Sequence, residues 1–204
     1  MPDILPMRGR SSGIHLSDII RDLSIRQGHF KDGPLNMARA NLGNALEWGL
    51  IERLMRQYPE RYTRIPEIER DGIFATLDLV DKRLRRPNEF KLTWMSSGKQ
   101  EPGSKGFWKY EMQLAAQAHL LGSDTGVLPV VFAMGDYAKQ REPQYREYEY
   151  QWVKAERERL WKETICRHRD RMIVQSDYWR RVADGTDRME LDADRAREHS
   201  DSED

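Results

Sequence analysis

The chain has 204 residues, 33% charged and 38% hydrophobic, with a formal net charge of zero. That length suits one domain with a sizeable core, and no stretch approaches the ~20 apolar residues of a membrane span. The single cysteine, Cys166, excludes an intrachain disulfide and a cysteine-based zinc site and fits a reducing cytoplasm.

Met1 to Arg8 lacks the basic-then-apolar order of a signal peptide. The neutral total hides an asymmetry. Asp184 to Asp204 holds nine acidic residues and three arginines, a net of −6, so the rest of the chain carries +6. A mildly basic body with an acidic end is compatible with a polyanionic substrate.

In chain order, Ser17 is placed to cap a short helix over Asp18 to Arg26, with Ile19, Ile20 and Leu23 on one side. Gly28 to Gly33 is a connector. Pro34 suits the first turn of a long helix reaching Gln57. Its stripe of Leu35, Ala38, Leu42, Leu46, Leu50 and Leu54 is expected to face the core. Tyr62 to Glu69 and Ile73 to Asp81 read as strands, Lys82 to Asn88 as a basic turn, and Glu89 to Trp94 as the next strand. Met95 to Lys105 is a loop. Phe107 to Leu121 is a helix stopped by Gly122, Val127 to Met134 a buried strand, and Arg146 to Trp152 an edge strand. Lys154 to Val182 has helical propensity, with Leu160, Trp161 and Ile165 as anchors. The expected architecture is a mixed α/β domain over residues 1–182, a small sheet flanked by helices, followed by a disordered acidic tail over 183–204.

The chemistry concentrates around Glu89-Phe-Lys91. In a strand, Glu89 and Lys91 project from one face and Phe90 and Leu92 from the other. A hairpin brings Asp78 beside Glu89. Two carboxylates suit a hard divalent cation such as magnesium, and an ammonium suits the orientation of water and the charge of a phosphodiester undergoing attack. Taken alone, Glu-x-Lys is more often a solvated surface pair. Asp81 is the rival first carboxylate. On the long helix, Glu47 borders the apolar stripe one turn after Gly43, and a carboxylate there needs a partner. The mid-helix glycine costs about 1 kcal/mol relative to alanine and points to a close approach by a backbone or ligand, although a Glu reaching solvent beside an incidental Gly explains the pair equally well.

With Gly43-x-x-x-Glu47, Asp78 in Gly72-Ile-Phe-Ala-Thr-Leu-Asp78-Leu-Val, and Glu89-x-Lys91 in this order, the chain resembles the PD-(D/E)XK nuclease superfamily. The likeness is to its lambda-exonuclease, YqaJ and RecB-nuclease-like branch, and it spans roughly Gly13 to Trp161. The resemblance implies a restriction-endonuclease-like core, a four-stranded mixed sheet between helices. It implies Asp78 and Glu89 as metal ligands, Lys91 as the catalytic lysine, and Glu47 as a further ligand or metal-positioning carboxylate. Gln113, on the following helix, would organise the site or contact substrate. The chain departs from the pattern at Leu77, where the named motif has proline, and at Gln117, where the branch often carries a tyrosine four residues after the glutamine.

Lys82, Arg83, Arg85 and Arg86 in the basic turn offer phosphate contacts or a solubilising tip. Lys99, Lys105 and Lys109 in the following loop are also placed to meet a strand. Trp108 either stacks on a base or, more commonly for such a residue, anchors its helix to the core. His119 is expected to be structural, and His15 reaches the site only if the first helix folds over it. The expectation is a magnesium- or manganese-dependent deoxyribonuclease, foremost an exonuclease in phage recombination or DNA end processing. Its rivals are a structure-specific or head-completion phage endonuclease and a catalytically silent protein that binds DNA or a protein partner. The expected partners are DNA, a phage recombination or packaging protein, and further copies of the chain, in the cytoplasm of a host cell.

Overall fold

A computed structural model describes residues 11–29, 37–98, 101–136 and 142–184, without the side chains of 37–40. The acidic end beyond Asp184 and Lys99 therefore lie outside the described residues. The strands are β1 (Ile14–His15), β2 (Tyr62–Thr63), β3 (Ile68–Arg70), β4 (Ile73–Ala75), β5 (Leu79–Asp81), β6 (Arg86–Asn88), β7 (Lys91–Thr93), β8 (Thr125–Phe132) and β9 (Gln144–Gln151). The helices are α1 (Leu16–Arg26), α2 (Met37–Gln57), α3 (Trp108–Leu121), α4 (Lys154–Arg159), α5 (Arg167–Gln175) and α6 (Asp177–Ala183), with a π-helical stretch, Leu160–Cys166, joining α4 to α5.

The larger sheet is mixed, as expected. Strand β5 pairs antiparallel with β2 and β6, β6 and β7 run parallel to β8, and β9 closes the far side antiparallel. Strands β6 and β7 are two halves of one path along β8. Asn88 opposes Val127 and Lys91 opposes Val130, the same offset of 39. The interruption at Glu89 has a covalent cause. The Glu89 amide donates to the Val127 carbonyl at 3.0 Å. In a parallel ladder the return bond to the Glu89 carbonyl comes from the amide of residue 129. That residue is Pro129, which has no N–H.

The expected single strand Ile73 to Asp81 is two strands in different sheets. Strand β4 belongs to a three-stranded sheet with β1 and β3, whereas β5 belongs to the larger one. The chain crosses between them over Thr76, Leu77 and Asp78. Burial of Leu77 (2% exposed) at the crossing fixes both sheets to one core. Tyr62 to Glu69 likewise divides into β2 and β3, and Arg86 to Asn88, expected in a turn, is strand.

The main core joins α1, the crossing and the C-terminal helices through Ile14, Ile19, Ile20, Ile73, Leu77, Trp161, Ile165 and Met172. Helix α1 begins earlier than expected, with His15 rather than Ser17 as its N-cap and the His15 amide donating to Asp18 Oδ2 at 3.1 Å. Gly122 ends α3 in the left-handed region at φ 67°, a conformation cheap only for glycine. Helical structure after Lys154 is broken at Ser176, which is extended and accepts from the Trp179 amide.

Helix α2 corrects one expectation outright. Leu42, Leu46 and Leu50 are 47%, 45% and 36% exposed. The inward face is instead Gly43, Glu47 and Ile51, one turn apart each, and Ile51 packs with Leu79 and Phe90. A Cβ built on Gly43 would lie 4.0 Å from Leu92, ordinary contact, so no steric demand requires glycine there. The inward turn of Glu47 has a different reason: its carboxylate finds a backbone partner on the sheet.

Candidate active site

Four elements carry the site. Asp78 sits on the crossing just before β5, Glu89 at the interruption between β6 and β7, Lys91 at the start of β7, and Glu47 on the inward face of α2. Helix α3 lies against the same sheet and brings up two amides.

Glu89 is 1% exposed, and an ionised carboxylate so placed must be paired and hydrogen-bonded. Lys91 Nζ lies 2.5 Å from its Oε1. Gln113 Nε2 donates to the same oxygen at 2.6 Å, and Gln117 Nε2 donates to Oε2 at 2.6 Å. Asp78 Oδ2 accepts from the Phe90 amide at 3.0 Å, which ties the crossing to the strand that bears Glu89. Glu47 Oε1 accepts from the Leu92 amide at 2.6 Å, which docks α2 onto β7. Arg64 steadies the back of the crossing. Its Nε donates to the Asp78 carbonyl at 3.3 Å while its guanidinium stacks 3.4 Å over the Trp48 ring.

The charges are out of balance. Burial, reinforced by the Glu89 carboxylate, raises the Asp78 carboxyl to about 7 against the pull of Lys91. Burial also raises Glu47, with Lys91 opposing. Burial alone would depress the Lys91 ammonium, but the charges of Glu89, Asp78 and Glu47 hold it well above the ordinary lysine range. Three carboxylates around one ammonium thus carry more negative charge than the site offsets. A proton or a cation settles it.

An all-protein cage of three ligands is not present among the described residues. The donor set nevertheless fits magnesium or manganese. Magnesium is usually held by one or two carboxylates, with water and phosphate oxygens completing its shell, and Asp78 and Glu89 are the carboxylates that would hold it.

The other residues singled out in the sequence divide. Gln113 joins the site. Lys109 lies near enough to Glu47 to lower its carboxyl. Trp108 is partly buried against the main core and meets the His29 ring at 4.9 Å, the anchoring role. Lys105 is exposed. The basic turn lies at the end of the hairpin remote from Asp78 and Glu89, about 10 Å away along three-residue strands. Within it Arg86 pairs with Glu149 at 3.1 Å and Lys82 donates to the Pro59 carbonyl at 2.6 Å, while Arg83 and Arg85 are exposed. Asp81, the rival carboxylate, is buried at that remote end and held by Arg61 at 2.8 Å. His119 stacks on Trp161 at 5.1 Å, as a structural histidine does.

Sequence reasoning missed the cavity beside the amides. About 110 Å³ in volume, it is lined by His15, Ser17, Phe74, Thr76, Gln113 and Gln117 among others. The parallel pairing of β1 with β4 brings His15 there. The signal for Gln117 was its spacing, one helical turn after Gln113.

No family model matches the sequence, and no curated protein matches it. Among solved structures, the chain is similar to the alkaline exonuclease LHK-Exo from Laribacter hongkongensis, at 17% identity over 85% of this chain and 94% of that one, with a TM-score of 0.51. LHK-Exo in complex with dAMP gives 16% identity, coverage of 84% and 93%, and a TM-score of 0.52. A phage-related exonuclease from Haemophilus somnus 129PT gives 12% identity, coverage of 78% and 82%, and a TM-score of 0.46. The fold is therefore the mixed α/β fold of the alkaline exonuclease. Among the described residues no helix is long and apolar enough to cross a membrane.

Proposed function

We propose that the protein is a magnesium- or manganese-dependent deoxyribonuclease of the PD-(D/E)XK type, an exonuclease acting on DNA ends in phage recombination or end processing. The observation that carries this reading is the convergence of Asp78 from the crossing, Glu89 and Lys91 from the β6–β7 path, and Glu47 from α2 onto one partly buried site with an excess of negative charge. The fold shared with an alkaline exonuclease supports it.

Asp78 and Glu89 would hold the divalent cation, with Glu47 as a third carboxylate that ligates or positions it. The cation, when bound, supplies a Lewis acid that activates water and offsets charge on the phosphate. Lys91 stays protonated, as its surroundings dictate. Its ammonium orients the attacking water and stabilises charge developing on the phosphate oxygens. Gln113 holds the Glu89 carboxylate in place. Exposed Arg83, Arg85 and Lys105 are available for phosphate contacts.

The test is digestion of linear, nicked, circular and single-stranded DNA by the full chain with magnesium or manganese. Linear duplex is expected to be degraded from its ends, with Lys91→Ala inactive. Cleavage of closed circles would move the assignment to an endonuclease. A wild-type protein that binds DNA yet cuts none of these substrates with either metal would sink the enzymatic reading in favour of a binding role. A solution mass of several copies would support processive action by a homo-oligomer.

A further inference from the structure

We infer that Gln117 is a second positioning residue for Glu89, one that fixes the plane of its carboxylate and thereby sets the affinity of the site for a divalent cation. The inference rests on the proposed metal-dependent reading and extends it to a residue at which this chain departs from the pattern of the family it resembles.

A carboxylate held at one oxygen still rotates about its terminal torsion, which is broad and roughly two-fold. Gln113 and Lys91 both engage Oε1. Among the described residues, Gln117 is the donor to Oε2, at 2.6 Å. Two amides one helical turn apart on α3 therefore grip the two oxygens separately, and the helix spacing is transferred to the carboxylate as an orientation. Oε1 accepts from both Gln113 and Lys91, whereas Oε2 keeps lone-pair capacity beyond the bond from Gln117, so the grip leaves room for a cation at Oε2.

The arrangement is costly in a way that points to purpose. Gln117 is 1% exposed, and among the described residues no protein group donates to its Oε1. A buried unsatisfied acceptor costs on the order of 1–3 kcal/mol. An apolar side chain at this position would avoid that cost, since Leu114, Ala115, Ala116 and Ala118 around it are all buried. What the glutamine provides is the N–H donor to Glu89. Gln117 also lines the cavity of about 110 Å³, polar enough through Ser17, Thr76 and His15 to hold water.

The test uses the full chain and the near-isosteric Gln117→Met, which keeps volume and removes the donor. Calorimetric titration with Mn²⁺ in the absence of DNA is expected to show about ten-fold weaker binding. The KM for DNA should stay unchanged and the metal concentration for half-maximal cleavage should rise by the same factor. Should Gln117→Met not fold, Gln117→Asn, whose amide is withdrawn by one methylene, is read by the same criteria. A folded variant that only melts lower, with unchanged Mn²⁺ affinity, makes Gln117 structural and overturns the inference. In that case the site reading still stands if Asp78→Asn loses Mn²⁺ binding. A wild type that neither binds Mn²⁺ nor cuts DNA overturns both.

Discussion

Asp78 and Asp81 stand three residues apart at opposite ends of the short strand β5, and their surroundings drive them in opposite directions. At Asp81, burial alone would raise the carboxyl, but hydrogen bonds from Arg61 and the Leu84 amide outweigh it and lower it. At Asp78, burial is reinforced by the Glu89 carboxylate, and the carboxyl rises to about 7. Burial pushes both aspartates upward, and the neighbouring groups decide whether that push is overturned, as at Asp81, or reinforced, as at Asp78. One end of the hairpin is electrostatically satisfied and structural. The other is buried among like charges, an arrangement that fits the proposed site.

The sharpest way to break this contrast is to neutralise each residue in turn. Asp78→Asn and Lys91→Ala are each expected to lower the rate of DNA hydrolysis by about 10³-fold or more, measured on linear duplex. Asp81→Asn should retain the rate within about two-fold, and a comparable loss there would erase the distinction.

Stability should move the other way. The folded pKa of Asp78 lies above its unfolded value near 3.8, so the folded state keeps the proton longer. This residue therefore costs stability as pH rises from about 4 through about 7, and the cost persists above. In metal-free urea denaturation at pH 8, Asp78→Asn is expected to be more stable than wild type by on the order of 4 kcal/mol, with the gain vanishing below about pH 4. The lowered carboxyl of Asp81 has the opposite sign: its stabilisation is present above its unfolded pKa and is lost as pH falls through the folded one. Asp81→Asn should cost about 1–2 kcal/mol at neutral pH, and its unfolding profile should lack the acid-side decline. The smallest effect belongs to the remote turn. Replacing Arg83 and Arg85 with alanine should weaken DNA binding modestly and make the salt dependence shallower by about two phosphates' worth, on the scale of ~0.9 per contact, without changing the cleavage rate at saturating DNA.

Much of this site was legible in the sequence because its chemistry is local. Alternation places Glu89 and Lys91 together within three residues, whereas Gln117 stood out only as a departure from the family pattern, although its spacing puts it one turn after Gln113. The order of elements, from the long helix through the hairpin to α3 and β8, was likewise readable from periodicity and turn residues. The missed features depend on contacts distant in sequence. β-propensity runs smoothly from Ile73 to Asp81 and carries no trace of a change of sheet at Thr76. On α2, two stripes lie about 100° apart per residue step. The more hydrophobic stripe, Leu42–Leu46–Leu50, lost to the one whose Glu47 could accept the Leu92 amide. The placement of His15 depends on the parallel pairing of β1 with β4, residues almost sixty positions apart.

The missing rung at Pro129 bears on the mechanics of the site. Each carbonyl held by a ladder bond is clamped between neighbouring strands. Glu89 is clamped there on its amide side only. The backbone that bears the central carboxylate therefore lacks one ladder bond, and the side chains of Asp78 and Glu47 hold the next free amides, of Phe90 and Leu92, in its place. Side-chain position is then governed from α3, through the two amides, more than from the strand itself. The helix thus holds the carboxylate by its oxygens, while the site's other two carboxylates hold the strand that carries it by its amides.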